Sequence, residues 1–239
     1  MSVNITKQGI INASGEEISS NFFTNSDFAS TYSETRWDTD KNGTILASSW
    51  GGYNGGVTNP TTVYHAHLTQ FQGESVYQYT RTANETWLGC SQGGLQSIIQ
   101  PNTTYTWSID EYRTSGSNNY ITAGLYYKKT SDGSNNFWAG CPHGSGEDAF
   151  DKWVRRYYTF TIEEIYIGAN VSFYIYGMSG GNGTIYMRRP KLEKGSVPTP
   201  WTKKDSEGYT INNHGFVESQ LGILSVHDNY IESKNFIEI

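Results

Sequence analysis

Two kinds of residue in this chain have types and spacings suited to chemistry: flat rings set in glycine-rich turns, and small groups of oxygen and nitrogen ligands. In Trp50-Gly51-Gly52-Tyr53-Asn54-Gly55-Gly56 two aromatics share a loop too rich in glycine to bury them easily. Trp87 follows Asn84-Glu85-Thr86, and Asn135-Asn136-Phe137-Trp138 marks another turn that continues into Cys141-Pro142-His143-Gly144. Tyr126 lies opposite a core-like face of an alternating run. Flat faces for C–H stacking beside short polar side chains for hydroxyls are what sugar recognition requires. Trp50, Tyr53, Trp87, Tyr126, Trp138 and His143 are therefore the candidate ligand residues. For any one of these rings, core packing is the competing reading, because aromatics dominate sandwich cores. Trp37, Trp107 and Trp201 are assigned to packing.

The ligand groups are sparser. Asp38-Thr39-Asp40-Lys41-Asn42-Gly43 copies the first six positions of a calcium loop, which makes Asp38, Asp40 and Asn42 the metal candidates. Position 12 of that loop is Ser49 instead of Glu, and a plain β-turn draws on the same residues. His65-x-His67 puts two imidazoles on one face of an extended run without a third ligand. The doublets Glu163-Glu164 and Glu147-Asp148 supply carboxylates, but neighbours on a strand point to opposite faces, so neither doublet is a glycosidase pair. Gly-x-Ser-x-Gly, a Walker glycine loop and His-Glu-x-x-His are all missing. The expectation is a protein without catalytic activity and without a cofactor.

The elements that must position these residues are strands. Eighteen Tyr, seven Trp, ten Phe and 26 Gly in 239 residues, with 17% charged, suit pleated surfaces punctuated by turns. Ile121, Ala123, Leu125 and Tyr127 share one face, opposite Thr122, Gly124 and Tyr126; Val171, Phe173 and Ile175 alternate with Ser172, Tyr174 and Tyr176. Tyr105, Trp107 and Ile109 share another face, and Gly180-Gly181-Asn182-Gly183 reads as a hairpin turn. Only 92–100 and 162–167 hint at helix, and neither is long or well capped. No basic face suits nucleic acid in a chain of net charge −6, and no run of about 18 apolar residues or basic-then-apolar leader points to a membrane or classical secretion. Cys90 and Cys141 match no metal spacing; two buried free thiols, or one bridge between neighbouring strands, are the readings.

The run Ile185-Tyr186-Met187-Arg188-Arg189-Pro190-Lys191-Leu192-Glu193-Lys194-Gly195, continued by Thr199-Pro200-Trp201-Thr202, resembles the closing strand of carbohydrate-binding-module-like β-sandwiches in phage tail and other virion proteins. Asn21-Phe22-Phe23-Thr24-Asn25-Ser26-Asp27-Phe28 is similar to their opening phrase, and Thr104-Tyr105-Thr106-Trp107-Ser108 to an internal strand. In physical terms Pro190 should end ladder pairing and Gly195 allow a turn, while Pro198 and Pro200 hold an extended exit. The resemblance implies an all-β fold, a jelly-roll (galactose-binding or carbohydrate-binding-module-like) β-sandwich over 21–203, with glycan held on a concave sheet face or in end loops. It also implies that structural calcium is common in such domains.

Residues 1–20 read as an N-terminal arm and 204–239 as an acidic C-terminal tail, in which six acids face Lys234 alone from position 205 onward. Ile10, Ile18, Ile231, Phe236, Ile237 and Ile239 look like members of isolated strands that gain by pairing with something else, and so are expected to dock or oligomerise. The expected function is a non-enzymatic virion structural protein, in a tail, fibre or capsid decoration. Its partners would be a polysaccharide glycan, other virion proteins and sister copies, with neither nucleic acid nor membrane. The alternatives are a carbohydrate-binding accessory domain of a bacterial surface or polysaccharide-degrading system, and a decoration without sugar binding.

Overall fold

Period-two burial is what the sequence dictates, and the computed structural model shows it in two packed antiparallel sheets. Residues 5–6, 9–11, 17–18, 21–34, 44–53, 67–81, 88–130, 136–166, 169–177, 183–204, 210–211, 216–219 and 222–225 are described. Three short strands, β1 (Ile5–Thr6), β2 (Gly9–Ile11) and β3 (Glu17–Ile18), pair with one another at the N-terminus. A ribbon of β4 (Thr31–Glu34) and β5 (Thr44–Ala47) follows. The sandwich is built from β6 (Gly51–Tyr53), β7 (His67–Phe71), β8 (Glu74–Arg81), β9 (Leu88–Gln92), β10 (Thr103–Arg113), β11 (Ile121–Lys128), β12 (Asn136–Pro142), β13 (Trp153–Ile162), β14 (Ser172–Gly177) and β15 (Gly183–Lys194). Beyond it β16 (Thr210–Ile211), β17 (Phe216–Ser219) and β18 (Gly222–Ser225) pair in sequence.

The first sheet runs β13-β10-β15-β8-β7 and the second β12-β11-β14-β9-β6. Their facing sides meet through Tyr105, Trp107, Ile109, Ile185 and Leu192 on one side and Ile121, Ala123, Leu125, Phe173 and Ile175 on the other, all fully buried. Burying side chains of this size from both sheets is the main source of stability. The alternation read in the sequence at 121–127 and 171–176 is therefore the core pattern. The region 92–100 holds a single 3-10 turn, Leu95–Ser97. Tyr79 Oη lies 3.4 Å from Cys90 Sγ inside the core, and burial pushes the Cys90 thiol up to about 12, only partly offset by that hydroxyl. Both thiols are free; Cys141 is half-buried, not buried, because β12 is an edge strand.

Three expectations are corrected. Pro190 does not end β15: Arg189 and Pro190 together stand opposite Ile109, a bulge that absorbs the missing proline N–H while pairing resumes at Lys191↔Ser108. Arg189 takes a left-handed φ of 52° to make it. The N-terminal strand residues are not isolated, since Ile10 pairs with Ile5 and Ile18 within their own sheet. The turn that carries Trp50 becomes strand: Gly51 and Gly52 pair with Ser91 and Cys90 on β9. Ile231, Phe236, Ile237 and Ile239 lie outside the described residues.

The two ends of the sandwich are tied across β15. Asn21 Nδ2 lies 3.0 Å from each of Ser26 Oγ, Pro190 O and Thr202 O, and its Oδ1 accepts from Phe23 N–H and Leu192 N–H. Just past the bulge, Lys191 and Glu193, two residues apart on β15, form a fully buried ion pair of 3.1 Å. The exit segment caps that pair: Thr199 N–H donates to Glu193 and Lys191 Nζ donates to Pro200 O at 2.9 Å. A pair so deeply desolvated is costly to break from one side only. Lys191→Met should lower unfolding free energy by about 3–5 kcal/mol in urea titration, and adding Glu193→Gln should recover part of the loss. A single-variant cost under about 1 kcal/mol would show that the pair is solvated.

Candidate functional site

The side of the second sheet turned away from the core is aromatic where an exposed sheet face is ordinarily polar. β11 contributes Tyr126 and Gly124, β12 sets Trp138 and Gly140 directly opposite them, and β14 adds Tyr174 opposite Gly124, with Tyr176 two residues on. The four rings form a closed quartet. Tyr126 is 4.7 Å from Trp138 and 5.2 Å from Tyr174, Tyr174 is 5.5 Å from Tyr176, and Tyr176 returns to Trp138 at 5.9 Å. Cross-strand aromatic pairs of this kind stabilise the sheet as well as shaping its surface. Tyr126, Trp138 and Tyr174 are half-buried and keep ring surface in water.

Glycines seat this quartet. A Cβ on Gly124 would stand 2.8 Å from the Trp138 ring and one on Gly140 2.5 Å from it, so the indole lies across two residues without side chains. The same two positions bring β11 and β12 unusually close, since the Gly124 Cβ would also be 2.4 Å from Gly140 Cα. Ser91 and Ser172 supply short polar groups beside the rings. Thr122 joins them opposite Tyr176, with a buried hydroxyl that has no hydrogen-bond partner among the described residues. Such an arrangement can stack pyranose rings and meet their hydroxyls.

The expected ligand residues divide. Tyr126 and Trp138 stand together in the quartet. Trp50 does not offer a platform: it is 1% exposed, its Nε1 donates to Thr24 O at 3.1 Å, and Phe23 and Phe28 pack edge-on against it. The reason is the strand pairing of Gly51 and Gly52, which leaves no loop to carry the indole outward. Tyr53 is placed only by its backbone, opposite Gly89, and Trp87, Asp38, Asp40 and Asn42 lie outside the described residues. Among the described residues no group of three His, Cys, Asp or Glu could hold a metal ion. Tyr174 and Tyr176 were not among the expected ligand residues; their signal was the alternation with Phe173 and Ile175.

His143 belongs to a different cluster. It takes a φ of 68°, stacks on Tyr120 at 4.7 Å, and puts Nε2 3.4 Å from Arg113 Nη1 and 3.7 Å from Asp148. Arg113 bonds Asp148, while Arg156 and Glu111 form a buried pair of 2.7 Å whose other oxygen accepts from Ile121 N–H. This ionic group closes the sandwich where β10, β12 and β13 meet. Burial lowers the His143 pKa from its ordinary value; Arg156 and Arg113 act in the same direction, and Glu111 and Asp148 oppose them. The unfolded chain therefore takes the proton first as pH falls. The stability that neutral His143 contributes is complete above about pH 6.5 and is lost as pH falls toward the lowered folded value. Denaturation at pH 7.5 and 5.5 should show a smaller loss on acidification for His143→Gln than for the parent protein; an equal loss would place the titration elsewhere.

No protein-family model matches the sequence. No curated protein matches it either. Among solved structures, the chain is similar to a candidate sugar-binding protein of Bacteroides thetaiotaomicron, with 11% identity and a TM-score of 0.51 over 73% of this chain and 100% of that one. A family 4 carbohydrate-binding module is similar at 14% identity and TM-score 0.46, covering 72% of this chain and 99% of that one. A family 22 xylan-binding domain of Paenibacillus barcinonensis follows at 15% identity and TM-score 0.43, covering 63% of this chain and 88% of that one. The two five-stranded antiparallel sheets, together with the likeness to the Bacteroides structure, establish the fold, a jelly-roll β-sandwich of carbohydrate-binding-module type. The virion and bacteriophage setting expected from the sequence is corrected to the fold alone, since none of these three similar structures is described as a virion protein. The physical reason is visible in the closing phrase. Lys191, Glu193, Thr199 and Pro200 are spent on shutting the sandwich, so they report a fold and carry no information about a particle.

Proposed function

We propose that this protein is a non-catalytic carbohydrate-binding module that holds a polysaccharide segment across the outer face of its second sheet. The observation that carries the reading is the quartet of Trp138, Tyr126, Tyr174 and Tyr176, with Trp138 seated on Gly124 and Gly140. Ring faces held at fixed spacing by three paired strands suit a ligand that is itself a row of flat, weakly polar rings. Binding to one such face is modest, and repetition of the ligand or of the module raises it. The role that fits is an accessory domain of a bacterial surface or polysaccharide-degrading system, in which sugar recognition keeps a partner activity on its substrate. The description of the Bacteroides protein as sugar-binding agrees with this reading.

A glycan array followed by calorimetry tests it. The parent protein should bind at least one plant or microbial polysaccharide, and Trp138→Ala should weaken that binding about tenfold or more, the loss expected for one stacking ring. Trp50→Ala should instead destabilise the fold by about 3–5 kcal/mol, because it empties a core site. A protein that bound no glycan would be a sandwich with a structural role alone.

A further inference from the structure

The opposite face of the molecule, on the first sheet, carries a feature that the glycan-binding reading does not use. Three arginines and two carboxylates alternate there in a continuous ribbon. Arg155 bonds Asp110 at 2.9 Å, Arg188 reaches Asp110 at 3.3 Å and Glu74 at 2.6 Å, and Arg189 bonds Glu74 at 3.0 Å. The ribbon therefore begins and ends on an arginine, and it holds one more cation than anion in a chain of net charge −6. Both terminal arginines open on the same cleft of about 420 Å³, lined also by the Asp110 carboxylate, Tyr157, Pro198, Pro200 and Trp201, so that two guanidinium groups face one carboxylate there. A cleft of that volume lies in the usual range of about 300–1,000 Å³ for small-ligand sites.

The terminal arginines differ in what the protein gives them. Arg155 donates to Asp110, Ser108 Oγ and the Arg189 carbonyl. Burial nonetheless lowers its pKa from the ordinary value, so its partners do not fully offset desolvation. Arg189 has a hydrogen bond to Glu74 through Nη2 and sits over the Trp201 ring at 5.6 Å, its side chain 28% exposed. The bulge at Arg189-Pro190 is what brings this side chain to the cleft, and the extended exit segment supplies the far wall. Surplus positive charge between a tyrosine, a tryptophan and two prolines matches a ring that bears an anionic group: guanidinium forks bind carboxylate and sulfate oxygens, and the aromatic walls take the sugar ring.

We propose that this cleft is a second ligand site, distinct from the aromatic sheet face, that takes an anionic saccharide, a pyranose bearing a carboxylate or a sulfate group. Its ligand is held by Arg189 and Arg155 against Tyr157 and Trp201. The site makes the protein two-sided, with neutral ring stacking on one sheet and charge recognition on the other.

Calorimetric titration of the full chain with a galacturonic acid disaccharide, a sulfated galactose disaccharide and a neutral galactose disaccharide tests this. At least one anionic probe should bind about tenfold or more tightly than the neutral one, and added salt should weaken it. Binding of the uronate alone would assign the site to carboxylates, and of the sulfated probe alone to sulfates. Arg189→Gln should weaken the anionic probe about tenfold, Tyr157→Leu should weaken it as well, and Trp138→Ala should leave it unchanged. No binding of either anionic probe, equal binding of the neutral one, or full binding in both Arg189→Gln and Tyr157→Leu would overturn the proposal. Because Trp138→Ala belongs to the other face, failure here and failure of polysaccharide binding there are read separately.

Discussion

The position of β15 at the centre of the first sheet, fixed by the buried side chain of Asn21, is the constraint on which the rest of the sandwich depends. One amide holds the entering segment through Phe23 and Ser26, the bulge through Pro190 and Leu192, and the leaving segment through Thr202. Satisfying both ends of a buried amide leaves little freedom for the segments that meet there. The tie also reaches the second sheet. Phe23, set in place by Asn21, packs at 4.8 Å on Phe173 and edge-on against Trp50. Phe173 points inward from β14, so its neighbour Tyr174 points outward into the aromatic quartet. Since a slip of one residue would exchange the two faces of any strand, holding this register is what keeps rings outside and aliphatics inside.

Much of this was legible in the sequence, and the unread part has physical causes. Alternation at 121–127 and 171–176 gave the core faces directly, because a side chain's direction in a strand depends only on parity. The opening and closing phrases could be read because they are the two halves of the Asn21 and Lys191–Glu193 ties. Trp50 could not be placed from its glycine neighbours, since glycine serves a strand pressed against its neighbour as readily as a turn. The seat of Trp138 was hidden for a related reason. It needs Gly124 to face Gly140, and that register is a property of β11 and β12 paired, not of either segment alone. Pro190 likewise reads as a terminator until the partner strand shows where a bulge can hold it.

The ionic groups of the sandwich are sorted by place. Glu111, Arg113, Arg156, His143 and Asp148 close one edge between the layers, while Asp110, Glu74 and the three remaining arginines of the ribbon lie on the outer side of the first sheet. The parity of β10 does the sorting, Glu111 and Arg113 facing in and Asp110 facing out. The outer side of the second sheet has no such ribbon among the described residues; rings and glycines occupy it instead. One chain thus presents two surfaces of different chemistry, each set by the same alternation.

The claim at the centre of this account is that sugar lies on the ring face of the second sheet. Titrating isotopically labelled protein with a polysaccharide fragment selected by array screening, and following backbone amides and indole N–H signals, locates the ligand directly. The account predicts that shifts concentrate on Trp138, Tyr126, Tyr174 and the amides of Gly124 and Gly140, while the indole signals of the buried Trp50 and Trp107 stay in place. Saturable binding that moved none of the residues of β11, β12 and β14 would contradict it.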